Sequence, residues 1–534
     1  MTKTTRRGAA LALLMAGVAL PAHAFELTII HTNDVHDRFE PITSSGSTCS
    51  EEQLAEAGEC FGGIARLASA IEERREAAEN ALVLDAGDWF QGTLFFVQYG
   101  GSVAAEMVNT IGFDAVAVGN HEFDNGPEGL DDFVNALDVP LLSANIDVSA
   151  EPDLEDGLIE PSTVVEVGGE RIGIIGVVAE DTPELASTGE VAFSSVTDAV
   201  RAEVETLTGE GVNKIVVLSH IGYVADQALA AAVEGIDVIV GGHSHTLLAN
   251  DVEGAVGPYP TMVAGPDGTQ VPIVQAAAYT QYLGELKVTF DENGVVTAAS
   301  GDPIQLVDTM PENEEIKARI AELSEGLDEI RNRVVGETSA PIDGSRETCR
   351  AGECEMGNLV ADAMLDHTSS QGTQIVIING GGLRASIDEG EVTQGEVLTV
   401  LPFLNTLSTF EVSGEAIVQA LENGVGQVEE GAGRFPQVAG LQYDWSRTAA
   451  PGSRIREVRV ENAEGEWEPI DPSGTYLVAS NNFMRNGGDG YESFVDAQNA
   501  YDFGPTLDTV LAEYLSGRDG PYEPYLDGRI NEVD

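Results

Sequence analysis

The sequence predicts an N-terminal α/β domain, a helical linker and a smaller α+β C-terminal domain. From Phe25 to about Asp302, short apolar runs end in polar, glycine-rich turns and are followed by helix-like segments. A stripe of apolar residues at helical spacing then interrupts the pattern, and beyond Gly336 helices mix with alternating strands. A chain of 534 residues exceeds one ordinary domain, and 43% hydrophobic content supplies material for more than one core.

Met1 to Ala24 precede the first domain. Lys3, Arg6 and Arg7 make a basic start, Ala9 to Leu20 an apolar run, and Ala22-His23-Ala24 a small-x-small cleavage site. This reads as a secretory signal peptide cut after Ala24, leaving a periplasmic or secreted protein. A spanning helix needs about 20 apolar residues, more than this run offers. Arg6-Arg7 also admits twin-arginine export, but alanines stand where that signal is usually hydrophobic. The C-terminus carries no anchor signal.

The runs Leu27–His31, Ala81–Leu84, Ala115–Val118, Ile172–Val177, Ile215–Leu218 and Val238–Val240 read as buried strands. Ile273–Ala278 and Glu285–Phe290 read as further strands closing the domain. Ile316, Ile320, Leu323, Leu327, Ile330 and Val334 mark a helix over Pro311–Val335, acidic at its start and basic at its end, as a helix dipole favours. It links two domains or lies on the first. In the second domain, Gly357–Leu365 and Gly414–Asn423 read as helices, and Arg454–Val460 and Thr475–Ser480 as strands.

The formal net charge is -64, which opposes nucleic-acid polymers and anionic membranes and suits solubility in salt. Salt screens that field beyond about 8–10 Å, so an anion site here must be locally positive. The four cysteines, Cys49, Cys60, Cys349 and Cys354, form two local pairs; in an exported chain they read as two disulfides. The competing four-thiolate zinc site lacks the short Cys-x-x-Cys spacing.

The histidines carry the strongest functional signal. His36, His121, His220, His243 and His245 each follow the end of an expected strand, as do Asp34, Asp85, Asp88, Asn120 and Asp124. In α/β folds, ligands bind beyond the carboxyl ends of strands, so these segments can converge. Asp34 and His36, two apart on extended backbone, would face one side together. Each piece alone is ambiguous, since a lone His-x-His is more often structural and an Asp after a strand is commonly a helix cap. Imidazole, carboxylate and amide donors without thiolates suit zinc, manganese, iron or cobalt.

In these segments the sequence resembles the calcineurin-like metallophosphoesterases, and with its second domain it resembles the exported bacterial 5'-nucleotidase and UDP-sugar hydrolase family. The resemblance implies a metallophosphoesterase sandwich over residues 25–310, a linker helix over 311–335 and a substrate-binding domain over 336–534. It implies two divalent ions, zinc with manganese or cobalt as alternatives. Asp34, His36 and His245 would hold one, Asn120, His220 and His243 the other, with Asp85 as the bridge. Such a pair activates water and clamps phosphoryl oxygens. His121 with Asp124 matches the catalytic dyad.

Cys349 to Cys354 resembles the family's disulfide-held arginine loop. By the same resemblance, Arg350 and Arg384 would bind phosphate or ribose, assisted by Asn379 and the backbone at Gly382. Asp489 would accept from ribose hydroxyls and Phe483 would stack on the base. After Leu401-Pro402-Phe403, Leu407 stands where a second stacking ring is expected. The function implied is release of phosphate from nucleoside 5'-monophosphates, extending to nucleotide sugars. The alternatives are a 2',3'-cyclic-nucleotide phosphodiesterase with 3'-nucleotidase activity and a non-catalytic exported nucleotide-binding protein. The expected partner is a small nucleotide, with no nucleic-acid polymer and no membrane anchor.

Overall fold

The computed structural model describes residues 24–533 except 44–45, 47, 50, 55–56, 155–156, 404, 463–464 and 503. The expected signal peptide, apart from Ala24, lies outside the described residues.

The first domain is built on two sheets, the sandwich that the resemblance implied. The seven-stranded sheet runs in the order Val296–Gln305, Tyr282–Phe290, Phe25–Thr32, Ala81–Asp85, Ala115–Ala117, Leu141–Leu142, Ile159–Glu160. The strands from Phe25–Thr32 to Ile159–Glu160 are parallel, and the two late strands add antiparallel. The six-stranded sheet runs Thr261–Ala264, Gln270–Val274, Val238–Gly241, Ile215–His220, Glu170–Val178, Ser162–Val167, with a parallel centre and antiparallel edges.

Leu27, Ile29, Leu82 and Leu84 from one sheet meet Ile172, Ile174, Val216 and Val238 from the other in an apolar seam. Alternate residues on the outer faces pack under helices: Ile64–Ala77 and Ser102–Ile111 cover the first sheet, Val196–Gly209 and Tyr223–Ala232 the second. The layers are helix, sheet, sheet, helix. Strands buried on both faces need continuous apolar runs, which is why the sequence shows them.

The stripe expected as one helix over 311–335 is two, Glu314–Ser324 and Asp328–Arg331, and Val334 already begins the strand Val334–Thr338. Ile316, Ile320, Leu323 and Leu327 bury in the first domain's outer core, whereas Ile330 and Val334 stay exposed. The apolar spacing therefore marks docking onto the first domain, and the helical path breaks near Gly326 where that contact ends.

In the second domain a five-stranded sheet runs Pro436–Ala439, Ile375–Asn379, Thr475–Asn481, Leu407–Ser413, Gln498–Tyr501. Helices Glu355–Thr368 and Leu507–Ser516 cover one face. Helix Gly414–Gly424 and a four-stranded sheet containing Leu441–Trp445 and Ile455–Glu461 cover the other. Both cysteine pairs form disulfides, Cys49–Cys60 and Cys349–Cys354. Among the described residues, no helix is long and apolar enough to cross a membrane.

The two sheets join where Ala144 donates to the carbonyl of Gly176 at 2.7 Å, and a Cβ added at Gly176 would collide with the Leu142 carbonyl. Gly176→Ala should therefore cost about 1–3 kcal/mol and lower the thermal midpoint. Gly209→Ala, at a helix end with open space, should not. Equal melting curves for the two variants would contradict this packing.

Candidate active site

Five strand ends deliver the site: those of Phe25–Thr32, Ala81–Asp85 and Ala115–Ala117 from one sheet, and Ile215–His220 and Val238–Gly241 from the other. Two groups of donors result. Asp34, His36 and His245 form one, with His245 Nε2 3.3 Å from Asp34 Oδ1 and 3.2 Å from His36 Nε2. Asn120, His220 and His243 form the other: Asn120 Oδ1 lies 3.2 Å from His220 Nε2 and 2.8 Å from His243 Nδ1.

Asp88 stands between them. Its Oδ2 is 3.6 Å from His36 Nε2 and 3.0 Å from His220 Nε2. Asp85, the residue expected to bridge, is turned away. Its carboxylate accepts from Thr32 Oγ1, from Gly87 N at 2.9 Å and from Trp89 Nε1 at 2.8 Å. The reason is local: Asp85 is still in the strand, paired with Thr32, whereas Asp88 lies beyond Gly87 in the loop. The four-residue motif Asp85-Ala86-Gly87-Asp88 contained both carboxylates, and the strand boundary decides between them.

Asp34 and His36 do not share an extended segment, as the spacing suggested. Both are left-handed, with φ of 52° and 49°, and so are Asp88, His243 and His245. Five non-glycine residues in that region represent stored strain, which persists only where surrounding contacts over-determine it. Glu122 supplies part of that restraint. Its buried carboxylate accepts from Gly119 N at 2.6 Å, Asp88 N at 3.0 Å, Trp89 N at 2.7 Å and Phe90 N at 3.3 Å.

The donor set fits cations. His220 Nδ1 donates to the Ala86 carbonyl at 2.6 Å and His36 Nδ1 to the Phe90 carbonyl at 3.1 Å. The Nε2 lone pairs of both therefore face acceptors: Asp88, Asn120, Asp34 and His245. Without a cation the protein must protonate; burial works against charge on His220, yet Asp88 and Asp34 push it up to about 10. Ions between these atoms remove the conflict, and the backbone partners fix the ring orientation.

His121 Nδ1 lies 2.8 Å from Asp124 Oδ2. Burial opposes charge on His121, but Asp124 and then Asp88 outweigh it and hold the imidazole above its usual pKa. Both residues line a cavity of 1010 Å³ between the two domains. From the second domain the cavity receives Arg350, Asn379, Gly382, Arg384, Phe483 and Asp489, every substrate residue expected from the sequence. Asn379 Nδ2 donates to Asp489 Oδ2 at 2.6 Å, so the amide aligns the carboxylate.

Two features were missed. Arg346, one helical turn before Arg350, also lines the cavity, and the i, i+4 spacing with the same charge was the available signal. Burial, then Arg346 and Arg384, disfavour the charge on Arg350, whose Nε is buried without a hydrogen-bond partner. Three mutually repelling guanidinium groups describe an anion site. Leu407 is no gap in an aromatic clamp: it is buried in the strand Leu407–Ser413, in the domain core. Phe403 lines the cavity instead, 5.7 Å from the His121 ring, and Arg384 lies 5.7 Å over its face.

A His, Asp and Asn centre on paired sheets defines a metal-dependent phosphoester hydrolase, and the comparisons agree. The model described as calcineurin-like phosphoesterase matches residues 27–247, and that described as 5'-nucleotidase, C-terminal domain matches 334–496. The 5'-nucleotidase of Mus musculus is 38% identical over 542 residues, covering 97% of this chain and 93% of the relative. Among solved structures, the 5'-nucleotidase precursor from Thermus thermophilus has TM-score 0.91 and 41% identity, covering 96% of this chain and 100% of that one. The NAD nucleotidase of Haemophilus influenzae has TM-score 0.58 and 28% identity, covering 96% and 100%. The chain belongs to the 5'-nucleotidase family.

Asp88→Asn should lower divalent-ion content by elemental analysis. Asp85→Asn should keep the ions and lower thermal stability, because its hydrogen bonds are structural. The reverse pattern would restore Asp85 as the bridge.

Proposed function

We propose that this protein is an exported, two-ion phosphohydrolase that releases phosphate from nucleoside 5'-monophosphates. The observation that carries the reading is the meeting, at one cavity, of the histidine and carboxylate groups with Arg346, Arg350 and Arg384 and with the rings of Phe403 and Phe483. Asp34, His36 and His245 would hold one ion and Asn120, His220 and His243 the other, with Asp88 within reach of both groups. The donor types suit zinc, with manganese or cobalt as alternatives. Bound there, the ions supply a nucleophilic hydroxide near neutral pH and neutralise charge on the phosphoryl group.

The chain's own residues do the rest. Arg346, Arg350 and Arg384 fix the phosphate through charge-assisted hydrogen bonds. Phe403 and Phe483 bracket the base, and Asp489, aligned by Asn379, accepts from the ribose hydroxyls, with the Gly382 backbone beside them. His121, kept protonated and oriented by Asp124, stabilises charge developing on the phosphoryl group and the leaving oxygen. The two disulfides support an oxidising compartment outside the cytoplasm.

A second reading extends the substrates to nucleotide-sugar pyrophosphates. It is favoured by a cavity at the upper end of the about 300–1,000 Å³ found for small-molecule sites, and by likeness to a protein described as an NAD nucleotidase. The test is a phosphate-release screen over 5'-nucleotides, 2',3'-cyclic nucleotides and UDP-sugars, on chelated enzyme reloaded with single ions. Strongest turnover of cyclic nucleotides would replace the proposal with a phosphodiesterase. Tight nucleotide binding without phosphate release would make the protein a binder.

His121→Asn should keep both ions and lower kcat by about 10²–10⁴. Arg384→Ala should raise KM about tenfold or more with metal content unchanged. Normal kcat in the first, or metal loss in the second, would remove these roles.

A further inference from the structure

His243 and His245 sit on one loop yet serve different donor groups, and both are left-handed, with φ of 68° and 54°. Neighbours must hold such a loop in place. The loop's own bonds are few: Ser244 N donates to Gly242 O at 2.8 Å, and Ser244 and Thr246 share a hydroxyl contact at 2.8 Å.

Gln275, just beyond the strand Gln270–Val274 and fully buried, spans that loop. Its Nε2 donates to the Gly242 carbonyl at 2.8 Å, and its Oε1 accepts from Ser244 Oγ at 3.0 Å and from Thr246 N. Only one amide orientation satisfies all three, because flipping it sets oxygen against oxygen and N–H against N–H. The backbone after Gln275 is fastened to the other sheet: Asn33 Oδ1 accepts from Ala276 N at 3.0 Å, and Tyr279 N donates to the Asp34 carbonyl at 2.8 Å.

We propose that Gln275 is a positioning residue that fixes the spacing of the two ion positions, by clamping the histidine loop in register with Asp34. It touches neither an ion nor the substrate. The inference rests on the two-ion reading above and adds a second tie to the one Asp34 makes itself, whose carboxylate oxygens accept from His243 N at 3.1 Å. Gln275→Leu keeps most of the volume and removes all three bonds. Gln275→Glu keeps the acceptor toward Ser244 and Thr246 and turns an oxygen toward Gly242 O.

The experiment titrates manganese into metal-free protein, reading stoichiometry, affinity and the exchange-coupled electron paramagnetic signal of an ion pair. Wild type should bind two ions. Gln275→Leu should bind the weaker one about tenfold or more less tightly and lose the coupled signal, with Gln275→Glu intermediate. Melting of the metal-free proteins serves as the folding control; should Gln275→Leu fail to fold, Gln275→Glu carries the same comparison. Two ions bound with wild-type affinity and coupling in a folded variant would overturn the role of Gln275. A single ion in wild type would overturn the two-ion function instead.

Discussion

Four backbone N–H groups gathered on the carboxylate of Glu122 set the geometry on which the site depends. Two loops, one after each of two neighbouring strands, lie on the same buried acceptor. Their backbones cannot drift apart without leaving N–H groups unpaired in a dry interior. Asp88 is held left-handed at that junction, and from it one carboxylate oxygen reaches a histidine of each sheet. Asp88 Oδ1 also accepts from His121 N at 2.9 Å. The carboxylate between the two donor groups and the histidine expected to meet the leaving group are thus placed by one hydrogen-bonded unit.

Much of this was legible in the sequence because chemistry and punctuation coincide. Histidines and carboxylates placed just after apolar runs pointed to one crevice, and the crevice exists. What was not legible depended on a boundary or a partner. Asp85 and Asp88 differ only in which side of the strand end they fall, and three residues of sequence do not mark that end. The division into two sheets came from the resemblance and not from the runs themselves, because strands buried on both faces read alike wherever they pair. The place of the second ring was undecided for a similar reason: Leu407 begins a strand and Phe403 precedes it, and only the strand's start reveals which of the two meets the cavity. Gln275 carries no sequence signal, since a glutamine next to a strand acquires its role from a loop about 30 residues earlier in the chain.

The cavity also answers the difficulty posed by a net charge of -64. Arg346, Arg350 and Arg384 stand together at its wall, and burial, then the charged neighbours, make Arg346 and Arg350 less favourable as cations. An anionic ligand relieves that repulsion, so a local preference for an anion survives a hostile distant field. Arg434, which also lines the cavity, pairs across the two domains with Glu184 at 3.1 Å.

Each donor group takes residues from both sheets: Asp34 and His36 with His245, and Asp88 and Asn120 with His220 and His243. Cations seated there, as proposed, would act as rivets through the sandwich as well as reagents. A molecule that binds its ions only when folded gains resistance to heat in proportion to the logarithm of free-ion concentration. Chelation should then loosen the seam between the sheets while leaving the C-terminal domain's separate cores intact, so that starvation for metal becomes a mechanical weakness confined to one half of the chain.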